Sequence, residues 1–300
     1  MRFSIFQDSR LGDRKGNEDR VGYSYSRDVL LMTVADGMGG HADGEVAAEI
    51  AITEITRRFQ QEARNKLRKP SEFLVFAIQS AHRAIVSHAV AHNLLECPRT
   101  TIVACIVQNG SAYWAHAGDS RLYVIRKGAL VAATQDHSRV QMMVDAGEIT
   151  VEQAARHPER NKIFSCLGGV VPPQIAASKE FPLKIGDTIV LCTDGFWGNM
   201  PANFLGSMLT KQQLIEIMPS LMAEAHRRAR GESDNLSVVA MTWEAQEDAR
   251  IGDTQQIDEA FVSSSNTTQQ MGAPLEEDVT EEDIERAISE IQDAIRKVPR

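Results

Sequence analysis

Hydrophobic positions fall into short runs of strand character and longer stretches with helical spacing, divided by glycine- and proline-marked turns. Residues 21–26 and 29–35 predict two strands, the second almost wholly apolar and ended abruptly by Asp36-Gly37-Met38-Gly39-Gly40. Residues 42–59 and 71–93 carry helical periodicity. In the second, Phe73, Phe76, Ala77, Ala81, Ala84 and Ile85 share one stripe. Four runs at 100–107, 111–116, 122–126 and 129–133, parted by Asn109-Gly110 and Lys127-Gly128, predict an antiparallel meander. Helical spacing returns over 138–153, and an irregular stretch spans 156–173. Strands are expected at 174–181 and 188–193, helices at 202–209 and 212–228, and a closing strand at 236–243. Strands and helices come in runs without strict βαβ alternation, which predicts an α+β fold with antiparallel sheet.

Beyond Trp243 the pattern fades. The folded domain is expected to occupy residues 1–244, followed by an acidic and polar linker over 245–279 whose composition is that of a disordered segment. Thr280 then offers an N-cap ahead of Glu281, Glu282 and Asp283. Ile284, Ile288, Ile291, Ile295 and Val298 make an apolar seam on an expected C-terminal helix at 280–299. Barely two heptads long, the seam suits docking onto its own domain as well as onto a partner.

Charge sharpens this division. Residues 244–300 hold 15 of the 41 acidic and 5 of the 32 basic side chains, so the body is close to neutral and the acidity belongs to the tail. A neutral body with an acidic tail argues against nucleic acid as the main ligand. The longest strictly apolar run, 102–107, is too short to span a membrane, and residues 1–10 hold no signal-peptide core. The expected location is cytoplasmic, with no membrane partner. Cys97, Cys105, Cys166 and Cys192 show no metal-finger spacing and read as free thiols.

The chemistry sits at turns. Acidic residues recur at strand ends and sharp corners: Glu18-Asp19, Asp36-Gly37, Asp119 after His116-Ala117-Gly118, Asp194-Gly195, and Asp234-Asn235. Each alone is an ordinary turn pair. Converging at one sheet edge, they would be untenable without a compensating cation, and an all-oxygen donor set selects Mg²⁺ or Mn²⁺ over zinc or copper. Arg14, four residues before Glu18, adds a guanidinium suited to a phosphate oxygen pair. Divalent ions with an arginine describe metal-assisted phosphoryl hydrolysis by a metal-activated water.

At this point the chain resembles the metal-dependent Ser/Thr protein phosphatases of the PPM (type 2C) family, particularly single-domain bacterial members, over residues 5–243. The resemblance rests on Arg14-Lys15-Gly16-Asn17-Glu18-Asp19, Val34-Ala35-Asp36-Gly37-Met38-Gly39-Gly40-His41, Ala117-Gly118-Asp119-Ser120-Arg121, Cys192-Thr193-Asp194-Gly195 and Ser233-Asp234-Asn235. It implies an α-β-β-α sandwich of two antiparallel sheets flanked by helix pairs. It further implies that Asp36 bridges two metals, with the Gly37 carbonyl and Glu18 completing one site and Asp194 and Asp234 holding the other. Asp119 would ligate a third, weaker ion, Asp19 would orient the bridging water, and Arg14 would hold the substrate phosphate. Residues 136–169 fall where the family carries a mobile flap beside the active site. The implied partners are phosphoprotein substrates and an opposing bacterial-type Ser/Thr kinase.

Two positions depart from the pattern. Met38 stands where animal members carry a histidine proposed as general acid, and Arg99 precedes the Thr100-Thr101 pair where glycine is common. His41 lies near the first departure, with a turn role as plausible as a chemical one. Among other candidates, His88 and His92 lack the glutamate of a metalloprotease motif. His116 suits a packed role, and Trp114, Trp197 and Trp243 suit the core. Ser120 lacks a histidine relay. The leading reading is therefore a phosphoserine/phosphothreonine protein phosphatase. The alternatives are a catalytically weak phosphoprotein-binding module recruiting a partner through the C-terminal helix, and a phosphatase of small phosphate esters.

Overall fold

The computed structural model describes residues 1–38, 43–63, 66–154 and 156–245. Strands β1 (Arg2–Arg10), β2 (Asp19–Tyr25) and β3 (Val29–Met38) lead into helices α1 (Asp43–Glu62) and α2 (Pro70–Ala91). Strands β4 (Arg99–Thr100), β5 (Ile102–Gln108), β6 (Ser111–Ala117), β7 (Arg121–Arg126) and β8 (Ala129–Ala133) follow, then the short helices α3 (Arg139–Asp145) and α4 (Val151–Ala154). The two-residue strands β9 (Ala176–Ala177) and β10 (Phe181–Pro182) precede β11 (Thr188–Cys192). Helices α5 (Asp194–Trp197), α6 (Ala202–Leu209) and α7 (Leu214–Arg228) and strand β12 (Leu236–Ala245) complete the described chain.

Two antiparallel sheets result. One runs β1-β12-β11-β7-β8; the other runs β10-β6-β5-β3-β2, with β4 paired to β3 and β9 to β6. Strand alternation sorts the apolar side chains into three layers. Val29, Leu31 and Ala35 of β3 face α1 and α2, whereas Leu30, Met32 and Val34 of the same strand meet the second sheet. Residues Leu122, Val124, Ile189, Leu191, Val239 and Met241 fill that middle layer from the other side, and Val190, Cys192, Val238 and Ala240 turn outward to α5, α6 and α7. Both sheets are thus buried on two faces, which explains their nearly continuous apolar runs. This is the α-β-β-α sandwich the sequence implied.

Several sequence expectations need correction. The run 100–133 is not one meander: β5 and β6 pair in one sheet, β7 and β8 in the other. The chain crosses between sheets at Gly118, whose φ of +110° only glycine adopts readily and whose missing Cβ leaves room for the Thr101 side chain. The helix expected over 138–153 is two pieces, divided where Gly147 takes a positive φ of 72°. The strand expected over 174–181 shrinks to β9 and β10. Strand β1 lacked a strong apolar signal because only Ile5, Phe6 and Gln7 of its interior are buried, yet it pairs with β12 along its whole length.

The amphipathic helix α2 is long and apolar enough to cross a membrane by composition. Its Phe73, Leu74, Ala77, Ile78, Ala81 and Ile85 are taken up by the core against the sheet. All four cysteines are free, with Cys105 and Cys192 buried in the strands. Gly39, Gly40, His41, the linker beyond Ala245 and the C-terminal helix lie outside the described residues.

Candidate active site

Hydrogen-bonding side chains fix the strand ends at one rim of the sandwich. Asp36 lies at the end of β3, directly opposite Asp19 of β2 in the strand register. Its backbone is held from both sides: its N–H donates to Thr101 Oγ1 at 3.1 Å, and its carbonyl accepts from Thr101 N–H at 2.9 Å and from Thr100 Oγ1 at 2.9 Å. Despite Arg99, β4 pairs normally, with Gly37 opposite Thr100 and Met38 opposite Arg99. Thr101 also shares a hydroxyl contact of 2.7 Å with Ser120, which ties the Asp119 corner to β3.

The other sheet contributes Asp194 and Asp234. Thr193 caps the start of α5, donates its hydroxyl to Asp19 Oδ2 at 2.8 Å and accepts from Ser237 N–H at 3.1 Å. Asn235 staples the segment before β2: its amide donates to the Leu11 and Gly16 carbonyls at 2.8 and 3.0 Å, and its Oδ1 accepts from Glu18 N–H at 2.9 Å. Gly195 packs so tightly that a Cβ there would collide with the Asn235 carbonyl oxygen. Gly195→Ala is therefore expected to cost about 2–4 kcal/mol, seen as a lowered thermal midpoint; an unchanged midpoint would show that this packing is dispensable.

These anchors open one cleft of about 530 Å³. Arg14, Glu18, Asp36, Gly37, Asp119, Asp194 and Asp234 all line it. Asp19, the remaining expected residue, is buried with 1% exposure and does not line it. Asp13 adds a sixth carboxylate to the lining, and Lys15 joins Arg14 as the second cation. Arg14 Nη2 donates to Asp234 Oδ2 at 2.6 Å, and this carboxylate holds the guanidinium firmly in its charged form.

The electrostatics follow from crowding. Burial pushes Asp36 well above the usual carboxylate range, and Asp19, Asp194, Asp119 and Asp234 add to the effect. Burial likewise raises Asp19 and Asp119 to about 7, the neighbouring Asp194 contributing to both. Asp194 rises to about 6 through burial and the nearby Asp234. Among the described residues no three such groups already close on one point as a preassembled metal cage does. The donor chemistry nonetheless fits hard divalent cations: carboxylate oxygens predominate among the polar groups that line the cleft, and the described lining holds no cysteine or histidine.

The cluster behind Asp119 was not foreseen. Trp197, expected in the core, donates its indole N–H to the Asp119 carbonyl at 2.9 Å and lies 3.4 Å beneath the Arg121 guanidinium. Arg121 in turn grips Asp136 with two bonds of 2.8 Å. No spacing in the sequence signals this contact, because its members are distant in the chain. His116 is packed as expected, with Nε2 at 2.7 Å from the Gln135 carbonyl. His88 and His92 stack at 4.0 Å on the exposed end of α2, away from the cleft.

A two-sheet sandwich that delivers carboxylates from both sheets and an arginine into one cleft defines a class of hydrolytic enzyme suited to phosphate esters. The sequence model of the family described as Protein phosphatase 2C matches residues 7–242. A serine/threonine phosphatase of Listeria monocytogenes is 31% identical over 237 residues, covering 78% of this chain and 93% of that protein. The crystal structure of the Streptococcus agalactiae serine/threonine phosphatase superposes with a TM-score of 0.73 at 28% identity, covering 81% of this chain and all of that one. The catalytic domain of PstP, solved in complex with two manganese ions, superposes at 0.65 with 30% identity, over 80% and 97% of the two chains. The chain belongs to the protein phosphatase 2C family and is a protein-serine/threonine phosphatase. Its substrates are phosphoproteins.

Proposed function

We propose that the cleft binds two divalent cations, Mn²⁺ or Mg²⁺, and hydrolyses phosphoserine and phosphothreonine by direct attack of water, reversing a bacterial Ser/Thr kinase. The observation that carries this reading is the charge imbalance: six carboxylates line one cleft with only Arg14 and Lys15 to answer them among the described residues. Asp36, Glu18 and the Gly37 carbonyl would hold one ion and Asp194 and Asp234 the second, with Asp119 available to a third. When bound, the ions supply Lewis acidity and a water acidic enough to lose its proton near neutral pH.

The chain's own groups do the rest. Arg14 stands at the cleft with a fork of donors of which Asp234 occupies one nitrogen, and the remaining N–H groups match a pair of phosphate oxygens. Asp19, opposite Asp36 in the strand register and with Oδ2 fixed by the Thr193 hydroxyl, would orient the attacking water. The buried Thr100 and Thr101 hold the Asp36 backbone in place through its N–H and carbonyl. The weakly catalytic binding module is not favoured, because every expected carboxylate is present and the matched relatives carry the phosphatase name.

Phosphate release from a phosphothreonine peptide tests the proposal. Turnover is expected with Mn²⁺ and abolished by EDTA. Arg14→Ala is expected to raise KM about tenfold, near 1.4 kcal/mol, with a smaller change in kcat. Metal-independent turnover, or none with metal on any phosphopeptide, would overturn it.

A further inference from the structure

Beside the carboxylate cleft the fold holds a second concavity, of about 570 Å³, that shares no lining residue with it. Two aromatic pairs line it: Trp114 and Phe181 with ring centroids 5.7 Å apart, and His137 and Phe164 at 5.6 Å. Phe164 is half exposed, although it is large and apolar. Among the described lining residues the exposed carboxylates of Asp145 and Glu180 outnumber the one lysine, Lys179; each accepts a neutral side-chain bond, from Gln141 and Ser111 respectively, at 2.8 Å, whereas Asp136 is gripped by Arg121. His116, only 4% exposed, also lines the concavity, and its Nδ1 is buried without a hydrogen-bond partner.

Aromatic faces with carboxylates at the same concavity describe a receptor for a planar cation. A guanidinium satisfies both, since it stacks on aromatic rings and pairs with carboxylates. The volume exceeds that of one side chain and leaves room for the backbone that carries it. A single short segment borders both concavities, since Asn161 and Ile163 line the cleft and Phe164 lines the second site. Phe164 N–H donates to the His137 carbonyl and His137 N–H to the Gly118 carbonyl, each at 2.9 Å, so the segment is tied through His137 to the residue before Asp119.

We propose that this concavity is a specificity pocket that seats an arginine of the phosphoprotein substrate, at a set number of residues from the phosphorylated side chain. The inference rests on the phosphatase reading of the neighbouring cleft. An extended substrate advances about 3.3 Å per residue, so one register of arginine and phosphate fits and others do not.

The test uses phosphothreonine peptides with alanine flanks, in which one arginine is walked through the flanking positions, and measures phosphate release with Mn²⁺. One register is expected to lower KM about tenfold at unchanged kcat. The double variant Asp145→Asn with Glu180→Gln keeps both exposed side chains isosteric and is expected to lose that gain, while its KM for the all-alanine peptide stays that of the parent. A gain that survives in the double variant, an equal gain from leucine at the same register, or no register effect would each overturn the proposal. If no phosphopeptide is turned over, the phosphatase reading fails separately. Calorimetry with the unphosphorylated arginine peptides then decides the pocket: binding lost in the double variant supports it, and absence of binding overturns it.

Discussion

Asp36→Asn is expected to lower Mn²⁺-supported phosphate release by about three orders of magnitude, roughly 4 kcal/mol of barrier, while making the EDTA-treated protein more stable. The two effects share one cause. Asp36 is buried, and burial first and then the charges of Asp19, Asp194, Asp119 and Asp234 oppose its ionisation. Its amide counterpart keeps the shape and the backbone bonds to Thr100 and Thr101 but has no proton to take up, so the folded chain no longer bears the cost of either burying a charge or protonating the group. The relief is on the order of 1–3 kcal/mol, or some 2–4 °C in thermal midpoint per kcal/mol. A variant both inactive and less stable than its parent without metal would place Asp36 in the structural frame instead of the charged cluster.

Removing metal is expected to reverse the usual pH dependence of an acidic site. Asp19 and Asp119 rise to about 7 and Asp194 to about 6 in the folded chain, against an ordinary aspartate value of 3.8. Between those values the folded state binds more protons than the unfolded one, so this contribution to stability is fully present below about pH 4 and is lost as pH rises through 6 to 7. The EDTA-treated protein should therefore melt at a lower temperature at pH 8 than at pH 5.5. Mn²⁺ at a hundred times its dissociation constant should restore about 2.7 kcal/mol at pH 8 and far less at pH 5.5, where protons compete for the same oxygens. Melting curves across this range, with and without Mn²⁺, check both statements. A metal-free midpoint that climbs steadily to pH 8 would contradict them.

Much of the fold was legible because it depends on local period. The apolar runs of β3, β5, β11 and β12 survive as core layers, and the stripe on α2 does so in part: Phe73, Ala77, Ala81 and Ile85 are buried, whereas Phe76 is 47% exposed beneath Arg58. What failed to show was whatever depends on where a chain turns between layers. Nothing in the run 100–133 distinguishes a hairpin from a crossing between sheets, since both place glycine at the corner, and only Gly118 against Thr101 reveals the difference. Strand β1 escaped notice because its ends are half-exposed. For the site, acidic turn motifs announced every carboxylate but Asp13. Their supports stayed silent: Trp197 under Arg121 and Asp119, and Thr193 against Asp19, are separated by too many residues for any spacing to suggest contact.

The staple formed by Asn235 has one more implication. It joins the strand that ends the described fold to carbonyls at Leu11 and Gly16, 224 and 219 residues earlier. During translation the ribosome must therefore release the last strand before the rim can close, and a nascent chain stalled short of residue 234 carries Glu18, Asp36, Asp119 and Asp194 but no finished cleft. The cleft is thus among the last parts of the domain to form, since it waits until the two ends of the domain have met.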